Sequence, residues 1–352
     1  MPPSKSRIQF LDSLRAIAIV MVIGQHALGY SQLSPGVQST IVYWFQVAVP
    51  IFFLVDGYLF AHRLEHTGKL DYRDYMQQSA RRLVVPWLLF SLLYLMARLA
   101  YEYFGHPPDQ IVLGRDLIYL LGAIWVGAPA VQLYFLLSLF FVRSLSFLTK
   151  YVQGLSPMVT LVAAFGLSVL WSHTNGMTVA GFQIKANWGG GQDPLLHAVW
   201  GLQYYLLGCA LYASNPWLSR HAKVLAVTVL AILVVLYYGE YSSPSLTQYS
   251  YLCGFYLLLL AIGDRSRALG GIGCSTMGIY LVHQPVVLKG MSVASALVFD
   301  NTGLWCYLLV VIGTLVCSIW ITRLLMKVPH AHRLFGEPRT VAAALPGGLE
   351  RF

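Results

Sequence analysis

The sequence predicts an all-α polytopic membrane protein, with about ten transmembrane helices around a central cavity and both termini cytoplasmic. Three observations carry that expectation. Apolar residues make up 57% of the 352 residues and charged residues only 11%, where soluble domains carry roughly 25% charge. Mean hydropathy is +0.63, and apolar runs of about 20 residues, the length that crosses a bilayer, recur along nearly the whole chain. The basic residues fall between alternate runs.

Taken in order, the spans are expected at about 10–30, 42–62, 82–104, 131–149, 157–173, 195–213, 222–240, 246–263, 275–298 and 303–326. The first is too long, and too polar at Arg15, for a cleaved signal peptide, so it is expected to stay. With the N-terminus inside, 18 of the 23 basic residues lie in cytoplasmic segments or flanking helix ends. Arg15, Arg98 and Lys289 fall within spans, and Arg115 and Lys185 lie on the far side, a distribution that follows the positive-inside rule. That placement accounts for the formal charge of +9 and argues against nucleic acid as a partner.

The connections differ in character. Residues 105–130 contain an apolar run around Ile118 to Val126 that is too short to cross and is expected to be re-entrant or interfacial. Residues 174–194 hold Trp188 before Gly189, Gly190 and Gly191. That pattern suits either close backbone approach to a sugar beside an aromatic ring or a flexible loop. The inner loop from His62 to Arg82 ends in the pair Arg81 and Arg82, with Pro86 in the first turns of the next span, where a missing N–H costs least. No repeat is evident. Residues 1–330 read as one transmembrane domain and 331–352 as a cytoplasmic tail that frays. The five cysteines show no metal or redox spacing and read as packing residues, and the remaining histidines form no metal pattern.

Polar residues inside the spans mark the candidate site, because charge among lipids is costly and is kept where it faces protein or water. Arg15 and His26 are eleven residues apart, three helical turns plus about 20°, so they share a face roughly 16 Å apart along the axis. If the span starts near residue 10, they lie ~8 Å and ~24 Å above its inner end. Asp56 comes ~9 Å from the inner end of its own span, which makes Arg15 its expected partner, although Asp12 is also within reach of Arg15. Arg98 is expected near the height of His26, either touching an acceptor or, more simply, paired with Glu102 four residues on.

Several segments in order resemble acyltransferase family three. They are Leu11-Asp12-Ser13-Leu14-Arg15 with His26 after it, Val49-Pro50-Ile51-Phe52-Phe53-Leu54-Val55-Asp56-Gly57-Tyr58-Leu59, Arg81-Arg82 before Pro86, Leu133-Tyr134-Phe135-Leu136, and Ile279-Tyr280-Leu281-Val282-His283-Gln284-Pro285. The chain departs from the family pattern at Asp56, where serine is usual, at Tyr134, where tryptophan is usual, and in the spacing before Arg81. The resemblance covers about residues 8–290. It implies ten helices and an enzyme of a bacterial inner membrane that takes acyl groups from cytoplasmic acyl-CoA, acetyl-CoA foremost, and O-acylates a surface or secreted glycan or its lipid-linked precursor.

Such transfer needs a base, since an alcohol attacks a thioester well only as its proton leaves, and histidine suits that task. His26 is the expected base, with Arg15 and Asp56 completing the catalytic set. Arg81 and Arg82 either hold donor phosphates or anchor the helix at the interface. His283 is expected ~12 Å from the inner side, far from His26, positioning the donor or packing the core. Trp188 and Arg98 are the acceptor candidates, no metal is implied, and glycan-assembly proteins are possible partners. The alternative is a proton-coupled transporter, which also needs intramembrane Arg, His and Asp; the paired repeats and matching broken helices usual for carriers are not seen.

Overall fold

The computed structural model describes residues 8–67, 71–105, 115–127, 130–153, 156–174, 178–179, 182–183, 187–188, 191–238, 244–262, 267–299, 302–328 and 331–335. Its framework is helical. In chain order it has α1 (Gln9–Ala27), α2 (Pro35–Phe45), α3 (Ala48–Thr67), α4 (Tyr72–Ser79), α5 (Val85–Gly105), α6 (Leu117–Trp125), α7 (Tyr134–Ser144), α8 (Ser146–Gln153), α9 (Pro157–Thr174), α10 (Pro194–Tyr238), α11 (Pro244–Ile262), α12 (Arg267–Cys274), α13 (Thr276–Val282), α14 (Leu288–Phe299), α15 (Gly303–Met326) and α16 (Ala331–Leu334). Two short hairpins, β1 (Thr178–Val179) with β2 (Phe182–Gln183) and β3 (Asn187–Trp188) with β4 (Gly191–Gln192), precede α10.

Local chemistry sets the helix starts. Proline opens α2, α9, α10 and α11, where its missing N–H would have had no partner. Asp71, Asp116, Ser156 and Asp193 accept backbone N–H groups at the starts of α4, α6, α9 and α10. Among the described residues, eight helical stretches are long and apolar enough to cross a membrane, and Thr247–Ile262 is a shorter apolar helix.

The exterior is apolar where lipid would lie. On α5, Val85, Leu88, Leu89, Leu92, Leu93 and Met96 are exposed while Phe90, Ser91 and Tyr94 are buried, so the apolar stripe faces outward and the inner face carries hydroxyls. Such a surface suits a bilayer rather than water. Inside, Phe53, Tyr204, Tyr205, Tyr251 and Tyr256 are among the largest fully buried side chains.

α10 reverses. Tyr204 donates to Gln248 on α11, and Leu233 lies against Gly254 of the same helix. In a straight helix Tyr204 and Leu233 would be ~44 Å apart, yet the positions they meet on α11 are separated by only ~9 Å. The run therefore turns back around Pro216, which lacks the N–H that would continue the ladder.

α10 also fixes α3. A Cβ built on Gly57 would collide with the Tyr205 carbonyl oxygen, and one on Gly208 with that of Leu54, so the two backbones touch where both helices carry glycine. Around this pair, α1 packs on α3, α12 and α15, and α7 packs on α10.

Two expectations are refined. The apolar run at 118–126 forms α6, nine residues and far too short to span. At the start of the tail, Phe335, which follows α16, is buried with its ring 5.9 Å from that of Phe90, and residues 336–352 lie outside the described part.

Replacing Gly57 with Val should lower thermal stability by about 1–3 kcal/mol or more through overpacking. Gly166→Ala on α9, where nothing lies within 4 Å, should be neutral or slightly stabilising. Thermal unfolding of both detergent-solubilised variants checks the contrast, and equal effects would count against the backbone contact.

Candidate active site

The site grows out of α1. Arg15 and His26 both emerge from this one helix, as their spacing requires. Arg15 is bound to Asp12 at 3.1 Å, one turn back, and not to Asp56. The expected Arg15–Asp56 pair is thus overturned. Asp56 lies on the side of α3 that also carries Phe52 and Phe53, both packed on Phe135 of α7, and that face points at α7 rather than α1.

The partner of Asp56 is Arg143, in the last turn of α7. Nε donates to Oδ2 at 2.8 Å, Nη2 donates to Oδ1, and Nη1 reaches Ser79 Oγ at 3.5 Å. The side chains of Arg143 and Asp56 are only 16% and 10% exposed, so this is a buried, two-pronged ion pair. Arg143 is one of the 18 basic residues counted with the cytoplasmic segments and helix ends, yet it falls inside the expected span 131–149. The missed signal was an arginine still inside an apolar run, at a depth where Asp56 needed a counter-charge.

Arg82 belongs to the same end of the bundle. The charges that act on it come from Arg143, Arg63, Asp56 and Arg15. Arg63 in turn stacks over Tyr75, 5.4 Å from the ring centre. Four arginines against Asp56 and Asp12 leave net positive charge around the base of α1. Arg81 and Arg82 sit on a π-helical turn, Ala80–Val84, between α4 and α5; a π turn inserts a residue and re-aims the side chains it carries. Both arginines are exposed.

At the other end of α1 lies the largest departure from expectation. The rings of His26 and His283 are neighbours, their centres 5.6 Å apart. The straight-helix depths that separated them took residues 10 and 275 as one membrane edge. Gly273 in fact packs on the Asp12 carbonyl, so His283 rises ~15 Å from the level of Asp12 where His26 rises ~21 Å, and the expected separation in depth halves.

His283 opens a second π turn, His283–Val287, in which Gln284 leaves helical geometry (φ −129°, ψ 147°). Side chains from elsewhere hold that turn. Gln132 donates Nε2 to the Gln284 carbonyl at 2.6 Å, Tyr280 donates to the Gln132 carbonyl, and Tyr94 donates to the Leu281 carbonyl at 2.5 Å. His26 itself makes no hydrogen bond among the described residues, and its ring is partly exposed.

Arg98 is engaged by Glu102 at 2.5 Å, with Glu102 fully buried, the simpler of its two expected roles. Trp188 lies on β3, its side chain outside the described part. Asp193, five residues on, accepts from Leu195 and Leu196 and from Trp125 Nε1 at 3.3 Å, so it joins the end of α6 to the start of α10. His62 and His66, four residues apart on α3, stack at 4.1 Å. Among the described residues no three His, Cys, Asp or Glu side chains group to hold a metal ion.

The family described as "Acyltransferase domain", acyltransferase family three, matches residues 8–323, nearly the whole chain. The chain belongs to acyltransferase family three. No curated protein and no solved structure gives a match. This family three protein is accordingly a multi-pass membrane acyltransferase, and the segments that resembled the family converge on two places, the arginine cluster and the paired imidazoles.

The ion pair of this acyltransferase should show strong coupling. Asp56→Asn or Arg143→Gln alone should destabilise by about 3–5 kcal/mol, and the double variant by clearly less than the sum. Thermal unfolding of the three variants tests this, and additive losses would argue that the two groups do not depend on each other.

Proposed function

We propose that the protein is an O-acetyltransferase of a bacterial inner membrane that moves an acetyl group from cytoplasmic acetyl-CoA to a hydroxyl of a surface or secreted glycan or its lipid-linked precursor. The observation that carries this reading is the untied imidazole of His26 inside the bundle, three turns along the same helix from an arginine in a basic cluster. Family membership supplies the reaction class and sets aside the transporter reading.

In this reading the α1 start, with both termini, faces the cytoplasm. The same reading takes ten passes, with α10 counted twice for its reversal and the shorter α11 counted as one. Arg15, Arg63 and Arg82 offer charge-assisted hydrogen bonds to the phosphates of the donor, with Arg81 beside them. The thin pantetheine arm extends along α1 and brings the thioester to His26. The glycan approaches from the far end, past the hairpin that carries Trp188; Arg98, held by Glu102, stands at that end as well. Proteins that assemble or export the glycan are natural partners.

The chemistry balances at one nitrogen. The acceptor oxygen attacks the thioester carbonyl carbon, and its proton passes to His26 as the C–O bond forms. The C–S bond breaks as the tetrahedral centre collapses, and the departing sulfur takes that proton from the imidazolium. An acetyl ester and free CoA result, with the base restored.

His26→Ala should leave a folded, membrane-inserted protein whose acetyl transfer is reduced about 10² to 10⁴-fold. Radiolabelled acetyl-CoA supplied to membrane vesicles that contain the cell's own glycans reads this directly, and mass spectrometry of surface glycans with and without the gene identifies the product. Near-normal turnover would remove His26 from the role. Charge reversal in Arg81→Glu, Arg82→Glu should weaken CoA binding without loss of insertion; unchanged CoA affinity in detergent would remove the arginines from the donor site.

A further inference from the structure

His283 has a defined tautomer. Its Nδ1 lies 2.7 Å from the Tyr280 carbonyl oxygen and 3.2 Å from that of Ile279. Carbonyl oxygens only accept, so Nδ1 carries the hydrogen, and Nε2 of the neutral ring is a bare lone pair. That nitrogen is buried and has no hydrogen-bond partner, on a residue with 0% exposure. A buried acceptor with nothing to accept calls for a reason.

The lone pair has a neighbour. Nδ1 is turned back onto the residue's own helix, so Nε2, across the ring, points away from α13. Helix α1 packs against α13, and the ring that α1 places beside His283 is His26. The rings are neighbours without a hydrogen bond between them, and catalytic pairs often tighten only when substrate binds. His26 has no hydrogen bond of its own to choose which nitrogen carries its proton. The fixed ring and the free ring are complementary.

We infer that His283 is the positioning residue of the site: its Nε2 accepts the N–H of His26, which fixes the tautomer of His26 and leaves the other His26 nitrogen bare toward the acceptor hydroxyl. The inference rests on the acyltransferase reading above for its place in the reaction, and on the two rings alone for its geometry. When His26 takes the hydroxyl proton, the N–H shared with Nε2 steadies the resulting imidazolium, the work a buried carboxylate does in other dyads. No proton need move to His283. Gln132 from the turn before α7 and Tyr94 from α5 grip the backbone on either side of His283, so the lone pair is held in place by elements that do not themselves reach His26.

Two variants separate this role from core packing. His283→Gln keeps an acceptor oxygen, whereas His283→Phe keeps the ring shape and removes the lone pair. With labelled acetyl-CoA and membrane vesicles, His283→Gln should hold kcat within about tenfold of wild type and His283→Phe should lose about 100-fold, with KM for acetyl-CoA unchanged in both. In a His26→Ala background, His283→Phe should cost nothing further, because its effect passes through His26. Equal rates for the Gln and Phe variants, or the same fractional loss with and without His26, would overturn the inference. A second arm reads His26 itself: its modification by diethyl pyrocarbonate, followed by peptide mass spectrometry, should slow severalfold in His283→Phe, and an unchanged rate would equally overturn the pairing. If vesicles with the wild-type protein transfer no acetyl group while that modification still slows, the O-acetyltransferase reading fails and the histidine pair stands.

Discussion

The Asp56–Arg143 ion pair sets the position of α7, and much of the candidate site follows from α7. Three buried or nearly buried acids in the bundle each take an arginine, as a low-dielectric interior requires. Asp12 and Glu102 find theirs on their own helices, one turn away, so those two ion pairs do not themselves join one helix to another. Asp56 and Arg143 cross between helices. With α7 held there, Phe135 packs on Phe53 and on Tyr280, and the turn before α7 delivers Gln132 to the Gln284 carbonyl. The ring of His283 is therefore located, through a chain of contacts, by a charge pair at the opposite end of the bundle.

Legibility in the sequence followed what periodicity can carry. The helical class, the membrane setting and the shared face of Arg15 and His26 depend on composition and on one helix, and all three emerge from the residues alone. The family resemblance rested on short segments in order, and the family match spans them. Partners across helices were another matter. Arg15 was matched to Asp56 by depth, but depth says nothing about which way a face points; Phe52 and Phe53, aromatic and on the side of Asp56, were the hint that this face meets other aromatics on α7.

The misplacement of His283 has a more specific cause. Depth estimates assume straight helices that begin at a common plane, and the α12 to α14 region breaks both assumptions. Helix α12 ends with Gly273 against the backbone of Asp12, already inside the bundle, and the helix breaks at Ser275 before α13 begins. The two π turns among the described elements fall at Ala80–Val84 and His283–Val287, segments that had drawn attention for their arginines and histidine. A π turn adds a residue to the ladder, so every side chain beyond it faces elsewhere than a simple helical count suggests.

The meeting of glycines between α3 and α10 restricts how this molecule can move. Where a carbonyl oxygen occupies the space of a missing Cβ, as at Gly57 and Gly208, sliding one helix along the other would drive backbone into side chain within a single residue step. Helix α3 and the first half of α10 consequently travel as one body, and α7 is tied to that body through Asp56. Helix α13, the π turn after it and α15 lack such an interlock with α3. Helix α13 and the turn after it are joined to that body by side chains, Gln132 to the Gln284 carbonyl and Phe135 to Tyr280, contacts that can give way by bond rotation where the interlocked backbones cannot.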